Sequence, residues 1–324
     1  MPSPRTDADI VPAAARFSVV VPVYGNRDTL PSLVERLVTI SKTLDGTLEA
    51  VFVVDASPDD SAAVLKDLAP TAGIPIRVLH HSRNFGSYAA IRTGLAAATG
   101  DFIGVMAADL QEPPELMADF FTALAAGADV AVGRRTSRSD PASSSAASNA
   151  YWALYRRFVM PAIPAGGVDV FAVTRPVAQT LLELREAHSS LVGQLFWVGY
   201  RRTEVPYERH ARPSGRSGWT LRKKVDYLLD SVFAFTDLPI RALTRIGTFG
   251  VITTTIVSLV VIVARVTGRI EVEGYTPLML VLLFCTFALL LGLGIVGSYV
   301  WRIYENSKAR PLSIVSSEDS YGTS

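Results

Sequence analysis

The chain has 324 residues, 49% of them hydrophobic, and its 31 basic and 30 acidic residues leave a formal net charge of +1. This length holds one large domain with a sizeable core and some further helices, and two water-soluble domains would be a tight fit. Because Cys285 is the only cysteine, an intrachain disulfide and a cysteine-based metal site are both excluded.

Strand and helix patterns alternate through the first part of the chain. Continuous β-branched runs predict strands buried on both faces, and apolar residues at helical spacing predict helices between them. The strands are expected at 17–21, 50–54, 76–79, 102–106 and 130–132, and the helices near 30–38, 62–68, 88–98 and 116–126. This α/β pattern predicts a parallel sheet with helices on both faces and ligands at the carboxyl ends of its strands.

Two long apolar runs follow, at about 246–264 and 277–300. Each is close to the ~20 residues that span a bilayer, so they predict a C-terminal two-helix transmembrane hairpin. The alternative is a helical hairpin buried in a soluble core, which fits less well with runs of this length that contain no acidic or basic side chain.

Basic residues flank the apolar runs on the sides that face away from their connection. Arg241 and Arg245 precede the first run, and Arg302 and Lys308 follow the second. Cations at these positions predict that both ends of the hairpin are cytoplasmic. We therefore expect a multi-pass protein of the cytoplasmic membrane whose catalytic domain faces the cytoplasm.

The segment between the α/β region and the hairpin combines cations with aromatic residues. From Trp219 to Phe235 this composition predicts an amphipathic helix at the membrane interface, with an ordinary surface helix as the alternative. The predicted organisation is a disordered lead-in at 1–16, a catalytic domain at 17–215, juxtamembrane amphipathic helices at 216–245, the hairpin at 246–301 and a cytoplasmic tail at 302–324.

Acidic residues follow two of the predicted strands. Asp55 ends the second strand, and Asp109 follows the fourth. Carboxylates at strand ends can bind a ribose or hold a hard cation against a diphosphate, although each one alone is more often a turn former or a helix cap. No GxGxxG follows the first strand, which argues against a dinucleotide-dependent oxidoreductase.

Several motifs occur in a specific order along the chain. They are Val21–Tyr24, Asp55 with Ser57–Asp59, Arg83–Gly86, Asp109–Gln111 with Pro113–Glu115, Gly166–Asp169, and Pro206–Arg209 followed by Gly215, Ser217, Trp219 and Lys223. Together with the hairpin, they resemble the family 2 glycosyltransferases, specifically the polyprenyl-phosphate glycosyltransferases related to dolichyl-phosphate mannose synthase and the bactoprenol glucosyltransferases.

The resemblance implies the GT-A nucleotide-diphosphosugar transferase fold and a role for each matching residue. Pro22, Tyr24, Asp55 and Arg83 would bind the nucleotide, and Asp109 with Gln111 would hold Mg²⁺ or Mn²⁺ on the diphosphate, Asp109 being also a catalytic residue. The chain departs from the family at Ala107, where the first of two metal-binding acids is usual, and at Val54, where an acidic pair is usual. These departures put metal binding in question more than the fold.

The basic residues after the α/β region suit a phosphate ligand. Arg209, Arg212, Ser217 and Lys223 are candidates to bind the donor diphosphate or an acceptor phosphate. A phosphate acceptor is largely ionised at neutral pH and needs little help from a base, whereas a hydroxyl acceptor would need one, for which Asp169 is the first candidate. The four histidines show no metal-ligand spacing.

The resemblance implies inverting transfer of a single sugar from a nucleotide diphosphate sugar to a polyprenyl phosphate, for cell-envelope glycan assembly. The alternatives are transfer to another lipid or to a glycan hydroxyl, and a degenerate nucleotide-sugar-binding subunit of a larger complex. The expected partners are the donor, the polyprenyl phosphate and membrane lipid, with a homo-oligomer as an option and no nucleic acid.

Overall fold

The fold is taken from a computed structural model of the chain. It describes residues 15–138, 152–153, 155–157, 159–164, 167–186, 189–210, 221–267 and 275–322. The chain forms two compact units, of which the first contains Met1–Lys224 with Pro311–Ser324 and the second contains Val225–Arg310.

The first unit consists of alternating strands and helices with a final strand from the C-terminal segment. Its strands are β1 (Ala15–Val23), β2 (Gly46–Val54), β3 (Ile76–His81), β4 (Phe102–Val105), β5 (Val130–Arg138), β6 (Phe171–Thr174), β7 (Arg202–Arg209) and β8 (Val315–Tyr321). Its helices are α1 (Leu30–Ser41), α2 (Ser61–Leu68), α3 (Ser87–Ala97), α4 (Leu116–Ala125), α5 (Arg175–Glu183) and α6 (Leu191–Trp197). The predicted strands and helices of residues 17–132 all occur, with ends shifted by a few residues.

All eight strands form one sheet in the order β7-β5-β6-β4-β1-β2-β3-β8. The strands β4, β1, β2 and β3 are parallel, whereas β6 is antiparallel to β4 and β5, and β8 is antiparallel to β3. The prediction of a parallel sheet was therefore wrong for these strands, and the sheet is mixed. The short apolar run of β6 lies in a stretch where glycine and proline interrupt the helical pattern, so the sequence did not separate it as a strand.

Helices cover both faces of the sheet. On one face, Val19 and Val21 of β1 belong to a core that includes Leu33 and Leu37 of α1 and Phe120 of α4. On the other face, α3 packs against β1 and β2. This alternation is what a strand buried on both sides requires, because successive side chains point to opposite faces.

The strand β8 joins the sheet beside β3. Arg77 of β3 donates from Nε to Glu318 at 2.8 Å, and His80 lies 3.2 Å from Asp319. The sequence did not predict this strand, because its Ser- and acid-rich composition is not typical of β structure. Residues 315–321 of the predicted tail region thus form an edge strand of the catalytic unit's sheet.

Three helices make up most of the remaining structure. They are α7 (Leu221–Phe235), α8 (Leu238–Val266) and α9 (Tyr275–Ser307). The helices α8 and α9 contain the two apolar runs, and they expose large apolar side chains such as Phe249, Leu259 and Leu291. Within the ranges given above, no helix meets the length and apolarity needed to cross a membrane. The transmembrane hairpin therefore stays a prediction.

Candidate active site

The carboxyl ends of the parallel strands bring the predicted site residues to one edge of the sheet. Pro22 of β1 is paired with Val53 of β2, and the N–H of Asp55 donates to the carbonyl of Val23 at 3.0 Å. On the other side of β1, the N–H of Met106 donates to the carbonyl of Val20 at 3.1 Å. The segments that carry Tyr24, Asp55 and Asp109 therefore leave the sheet at the same edge, as predicted.

Asp55 is buried, with 3% of its surface exposed. Its carboxylate accepts the backbone N–H groups of Phe85 at 2.8 Å and Gly86 at 2.7 Å, and it lies 2.8 Å from His81 Nδ1. Gly86 has φ of 90°, a conformation that glycine adopts without the steric cost of a side chain, and it precedes α3. Asp55 thus holds the loop between β3 and α3, and its direct contact with a nucleotide stays a prediction.

Aromatic and basic side chains lie at the surface of this edge. Tyr24 is 52% exposed. The guanidinium of Arg83 lies 4.2 Å from the ring centroid of Phe85 in a cation–π arrangement. An exposed tyrosine and an arginine on a loop anchored by a buried carboxylate provide a stacking surface and a cation, which are the groups that a nucleotide needs.

The loops after β1 and β2 are joined through Asp59. Its carboxylate accepts hydrogen bonds from the hydroxyls of Ser57 at 2.6 Å and Ser61 at 2.5 Å, and from the N–H of Arg27 at 3.0 Å. Burial alone would raise the pKa of Asp59, but these hydrogen bonds outweigh it and lower the pKa to about 2. The ionised carboxylate therefore fixes the two loops against each other.

Asp109 and Gln111 lie on the turn after β4, next to an arginine from β7. The N–H of Gln111 donates to Asp109 Oδ1 at 3.2 Å, and Gln111 Oε1 accepts a hydrogen bond from Arg209 at 2.8 Å. The backbone continues this contact, since the N–H of His210 donates to the carbonyl of Gln111 at 2.8 Å. The structure thus brings Arg209 to the two residues predicted to hold the metal.

Glu112 is the most deeply buried acid of the site, with 1% of its surface exposed. Its Oε1 lies 3.2 Å from Arg209 Nε. Burial raises the pKa of Glu112, the charge of Arg209 opposes this, and the charge of Asp109 adds to it. In the described part of the chain neither of the two facing atoms has a directed hydrogen bond, so charge holds the pair together.

Asp169 lies near Arg209 as well, and it pairs with a second arginine. Its Oδ2 pairs with Arg135 of β5, lies 3.4 Å from the hydroxyl of Tyr207 and 3.9 Å from a guanidinium nitrogen of Arg209. Burial raises the pKa of Tyr207, and the neighbouring Glu112 adds to this, so its hydroxyl keeps its proton at neutral pH. We call Asp109, Gln111, Glu112, Arg135, Asp169, Tyr207 and Arg209 the acid–arginine cluster.

The acid–arginine cluster can hold a divalent cation only with the help of substrate phosphates and water. Among the described residues, no group of three or more His, Cys, Asp or Glu side chains is placed to hold a metal ion. Gln111 Oε1 is already engaged by Arg209, and Ala107 supplies no oxygen ligand. Mg²⁺ is commonly held by one or two carboxylates together with substrate phosphates and water. The half-buried Asp109 fits that arrangement, whereas a cage made by the protein alone does not fit.

Three of the predicted phosphate-binding residues lie, wholly or in their side chains, outside the described residues. Arg212 and Ser217 lie outside the described residues. Lys223 lies in α7, but only its backbone is among the described parts of the structure. Their predicted role in binding a diphosphate or an acceptor phosphate stays a prediction.

Comparison with known proteins supports the interpretation of the edge and its cluster. The sequence profile described as "Glycosyl transferase family 2" matches residues 18–176. An uncharacterized glycosyltransferase of Synechocystis sp. is 31% identical over 301 residues, which cover 93% of this chain and 94% of that protein. The chain belongs to glycosyltransferase family 2.

A second relative of this family 2 glycosyltransferase carries a functional name. The undecaprenyl-phosphate 4-deoxy-4-formamido-L-arabinose transferase of Sodalis glossinidius is 33% identical over 299 residues, with 91% of each chain covered. Among solved structures, glucosyl-3-phosphoglycerate synthase of Mycobacterium tuberculosis aligns with 72% of this chain and 83% of its own at 15% identity and a TM-score of 0.49. The predicted family resemblance is confirmed by the profile and by these relatives.

Four side chains of this glycosyltransferase were missed as site residues by the sequence analysis: Glu112, Arg135, Tyr207 and His81. Glu112 lies between the two quoted parts of one motif, Asp109–Gln111 and Pro113–Glu115, and its burial beside Arg209 gives it a role that the motif did not assign. Arg135 and Tyr207 are paired residues of β5 and β7, and β7 is the outermost strand on that side of the sheet. His81 ends β3, and no pattern in the sequence indicated its contact with Asp55.

Proposed function

We propose that the enzyme transfers a single sugar from a nucleotide diphosphate sugar to a polyprenyl phosphate, with inversion at the anomeric carbon, for cell-envelope glycan assembly. The observation that carries this proposal is similarity over nine tenths of the chain to a relative named for transfer to undecaprenyl phosphate. The donor and the inverting outcome follow from the family resemblance in the sequence. The acid–arginine cluster supplies groups suited to this chemistry.

The donor would lie across the carboxyl edge of the sheet. Tyr24 and Arg83 would contact the nucleotide, with the Arg83 loop held by Asp55. Departure of a nucleoside diphosphate from the anomeric carbon places negative charge on the leaving group, which cationic groups stabilise. Arg209 is positioned for this role, because it is the cation that contacts Gln111 beside Asp109.

A divalent cation would share this role. When bound, Mg²⁺ or Mn²⁺ supplies positive charge to the diphosphate. Asp109 is the residue that would hold it, and the arginines would complete the charge balance where Ala107 provides no carboxylate.

The contacts of Asp169 favour a phosphate acceptor over a hydroxyl. A hydroxyl acceptor would need a general base. Asp169 Oδ2 is already engaged by Arg135 and lies near the hydroxyl of Tyr207, so it is poorly placed to take a further proton. A phosphate monoester, with a second pKa of ~6, is largely ionised at neutral pH and attacks without this help.

We further propose that α8 and α9 attach the enzyme to the membrane that contains its lipid acceptor. The support is the exposed apolar surface of these helices, on which Phe249 is 73% and Val266 is 82% exposed. Apolar surface of this kind marks a membrane or protein contact. The cations at Arg241, Arg245, Arg302 and Lys308 favour a cytoplasmic location for both ends and for the catalytic domain.

The acceptor proposal is tested with purified full-length enzyme, a panel of radiolabelled nucleotide sugars, and three acceptors offered separately. These are polyprenyl phosphate, the corresponding polyprenol, and a soluble oligosaccharide. We expect labelled lipid with polyprenyl phosphate alone. Labelling of the polyprenol or the oligosaccharide would support transfer to a hydroxyl instead. Donor binding without turnover on any acceptor would identify a binding subunit, the role that Ala107 leaves open.

A further inference from the structure

A chain of hydrogen bonds, half-buried at Ser313 and Thr93 and buried at His81 and Asp55, links the C-terminal segment to the Arg83 loop. The hydroxyl oxygens of Ser313 and Thr93 are 2.7 Å apart, and Thr93 Oγ1 lies 2.9 Å from His81 Nε2. His81 Nδ1 in turn lies 2.8 Å from Asp55, which accepts the N–H groups of Phe85 and Gly86. We call Ser313, Thr93, His81 and Asp55 the relay.

The relay ends at the Asp55 carboxylate, which accepts two backbone N–H groups of the Arg83 loop. A carboxylate accepts hydrogen bonds, so His81 Nδ1 is the donor to Asp55. Thr93 Oγ1 lies within hydrogen-bond distance of His81 Nε2 and of Ser313 Oγ, and it also donates to the carbonyl of Ala89 at 3.0 Å in its own helix. Thr93 thus connects Ser313 to the imidazole that contacts Asp55.

The same C-terminal segment also contacts the start of the Arg83 loop directly. The N–H of Ser82, at the start of this loop, donates to the carbonyl of Ile314 at 3.0 Å. By contrast, the hydroxyl of Ser316 donates to the carbonyl of His80 at 3.0 Å, within β3 and outside the loop. The segment therefore meets the loop at its backbone, through Ser82, and at its buried anchor, through the relay. These contacts lie within the first unit, to which residues 311–324 belong.

We propose that Ser313 is a positioning residue for the donor site, which acts through Thr93 and His81 on Asp55 and so sets the Arg83 loop. This rests on the proposed function in that the loop binds the donor nucleotide. The C-terminal strand is then more than an edge strand of the sheet. Because the relay contacts the loop and not the reacting atoms, its loss affects donor binding more than the chemical step.

The experiment compares full-length wild type with Ser313→Ala and the conservative Ser313→Thr, and with Thr93→Val against Thr93→Ser. Donor KM and kcat are measured with the nucleotide sugar that the wild type uses, and the affinity for the matching nucleoside diphosphate is measured by calorimetry. Loss of one neutral hydrogen bond corresponds to a change of about three- to tenfold in an equilibrium constant. We expect KM and Kd to rise by that factor in Ser313→Ala and Thr93→Val, with kcat within about twofold.

Ser316→Ala is the matched control, because it removes a hydroxyl from the same segment whose partner is a backbone carbonyl outside the relay. We expect the control, Ser313→Thr and Thr93→Ser to keep a wild-type KM. Equal nucleotide affinity in wild type, Ser313→Ala and Thr93→Val would overturn the positioning role of Ser313 and leave the proposed function intact. A fall in kcat at constant KM would also overturn it. A wild type that binds no nucleoside diphosphate would overturn both proposals.

Discussion

Arg209 lies 3.2 Å from Glu112, an acid whose surface is 1% exposed, and donates from another nitrogen to Gln111 at 2.8 Å. One arginine therefore compensates a buried charge and contacts the turn that carries Asp109. Its position is fixed from two sides before any ligand binds. This pre-organisation is what an enzyme needs at a group that stabilises developing negative charge.

Removing Arg209 should reduce both stability and transfer. Arg209→Met leaves Glu112 buried without its counter-charge, and breaking a buried pair in this way costs about 3–5 kcal/mol. Because Arg209 is itself 22% exposed, we expect a loss near the lower end, about 3 kcal/mol in the free energy of unfolding. Adding Glu112→Gln should recover most of the stability but not the transfer activity. Recovery of both would show that Arg209 has only a structural role.

The stability of the Arg209→Met variant should depend on pH. Burial raises the pKa of Glu112, and loss of Arg209 removes the larger of the two arginine charges that oppose the rise, the other being that of Arg135. An acid with a raised pKa in the folded state binds more protons there than in the unfolded state, so stability falls as pH rises from its ordinary value of 4.5 through the folded value. Melting curves between pH ~5 and ~8 should show this decline. The decline should be absent when Glu112→Gln is added, and its persistence there would contradict the assignment.

Metal dependence is tested at the turn after β4. Asp109→Asn should lower transfer by about a hundredfold or more, and excess chelator should do the same to the wild type. Asp101→Asn is the matched control, since Asp101 precedes β4 at the opposite edge and accepts the N–H of Arg16 at 3.1 Å. Ala107→Asp should bind Mn²⁺ more tightly by calorimetry. Full turnover in excess chelator would assign the leaving-group charge to Arg135 and Arg209 alone.

Asp59 should stabilise the two loops of the donor site in a defined pH range. Its pKa is lowered from 3.8 to about 2, so the unfolded state binds more protons between these values and the stabilisation is lost as pH falls through them. Melting temperatures measured from pH ~4 down to ~2 should fall less in Asp59→Asn than in wild type. Asp60→Asn, which removes an exposed carboxylate paired with Arg27 at 3.2 Å, is the control. Equal acid sensitivity of Asp59→Asn and wild type would contradict the role of Asp59.

The helix α3, which follows the Arg83 loop directly, packs closely against β1. A Cβ on Gly94 would lie 2.2 Å from Val20 Cγ1, so Gly94→Ala should cost about 1–3 kcal/mol through overpacking. Gly247→Ala is the control, because a Cβ there meets no heavy atom within 4 Å. The control should leave stability unchanged or raise it slightly, since alanine favours a helix. A Gly94→Ala variant as stable as the control would show that α3 can shift away from β1.

The sequence predicted the parts of the fold that depend on regular periodicity. The strands and helices between Phe17 and Val132 were predicted because buried runs and helical spacing are strong local signals. The strand β7 was missed because its side chains alternate weakly in polarity, and β8 because its composition is polar. Both strands are stabilised by pairing with a neighbour distant in sequence, a tertiary effect that outweighs local preference.

The candidate site was predicted where its residues follow strands directly. Asp55 and Asp109 were placed at strand ends, where parallel strands share a carboxyl edge, and Tyr24 was a candidate through the family resemblance. The contacts of Glu112 with Arg209 and of Asp55 with His81 could not be predicted, because they depend on burial and on side-chain direction across separate strands. The departure at Ala107 was visible in the sequence, and the structure adds that Arg209 contacts Gln111, two residues after the remaining acid Asp109.

The central claim, that this edge of the sheet transfers one sugar to a lipid phosphate, is tested most directly by the stoichiometry of the reaction. Purified enzyme would be supplied with its nucleotide sugar and polyprenyl phosphate, and the released nucleoside diphosphate and the lipid product would be quantified by mass spectrometry. We predict one nucleoside diphosphate for each polyprenyl phosphate carrying a single sugar, with both products lost together in Asp109→Asn. Nucleoside diphosphate released without lipid-linked sugar, or formed equally by Asp109→Asn, would contradict the claim.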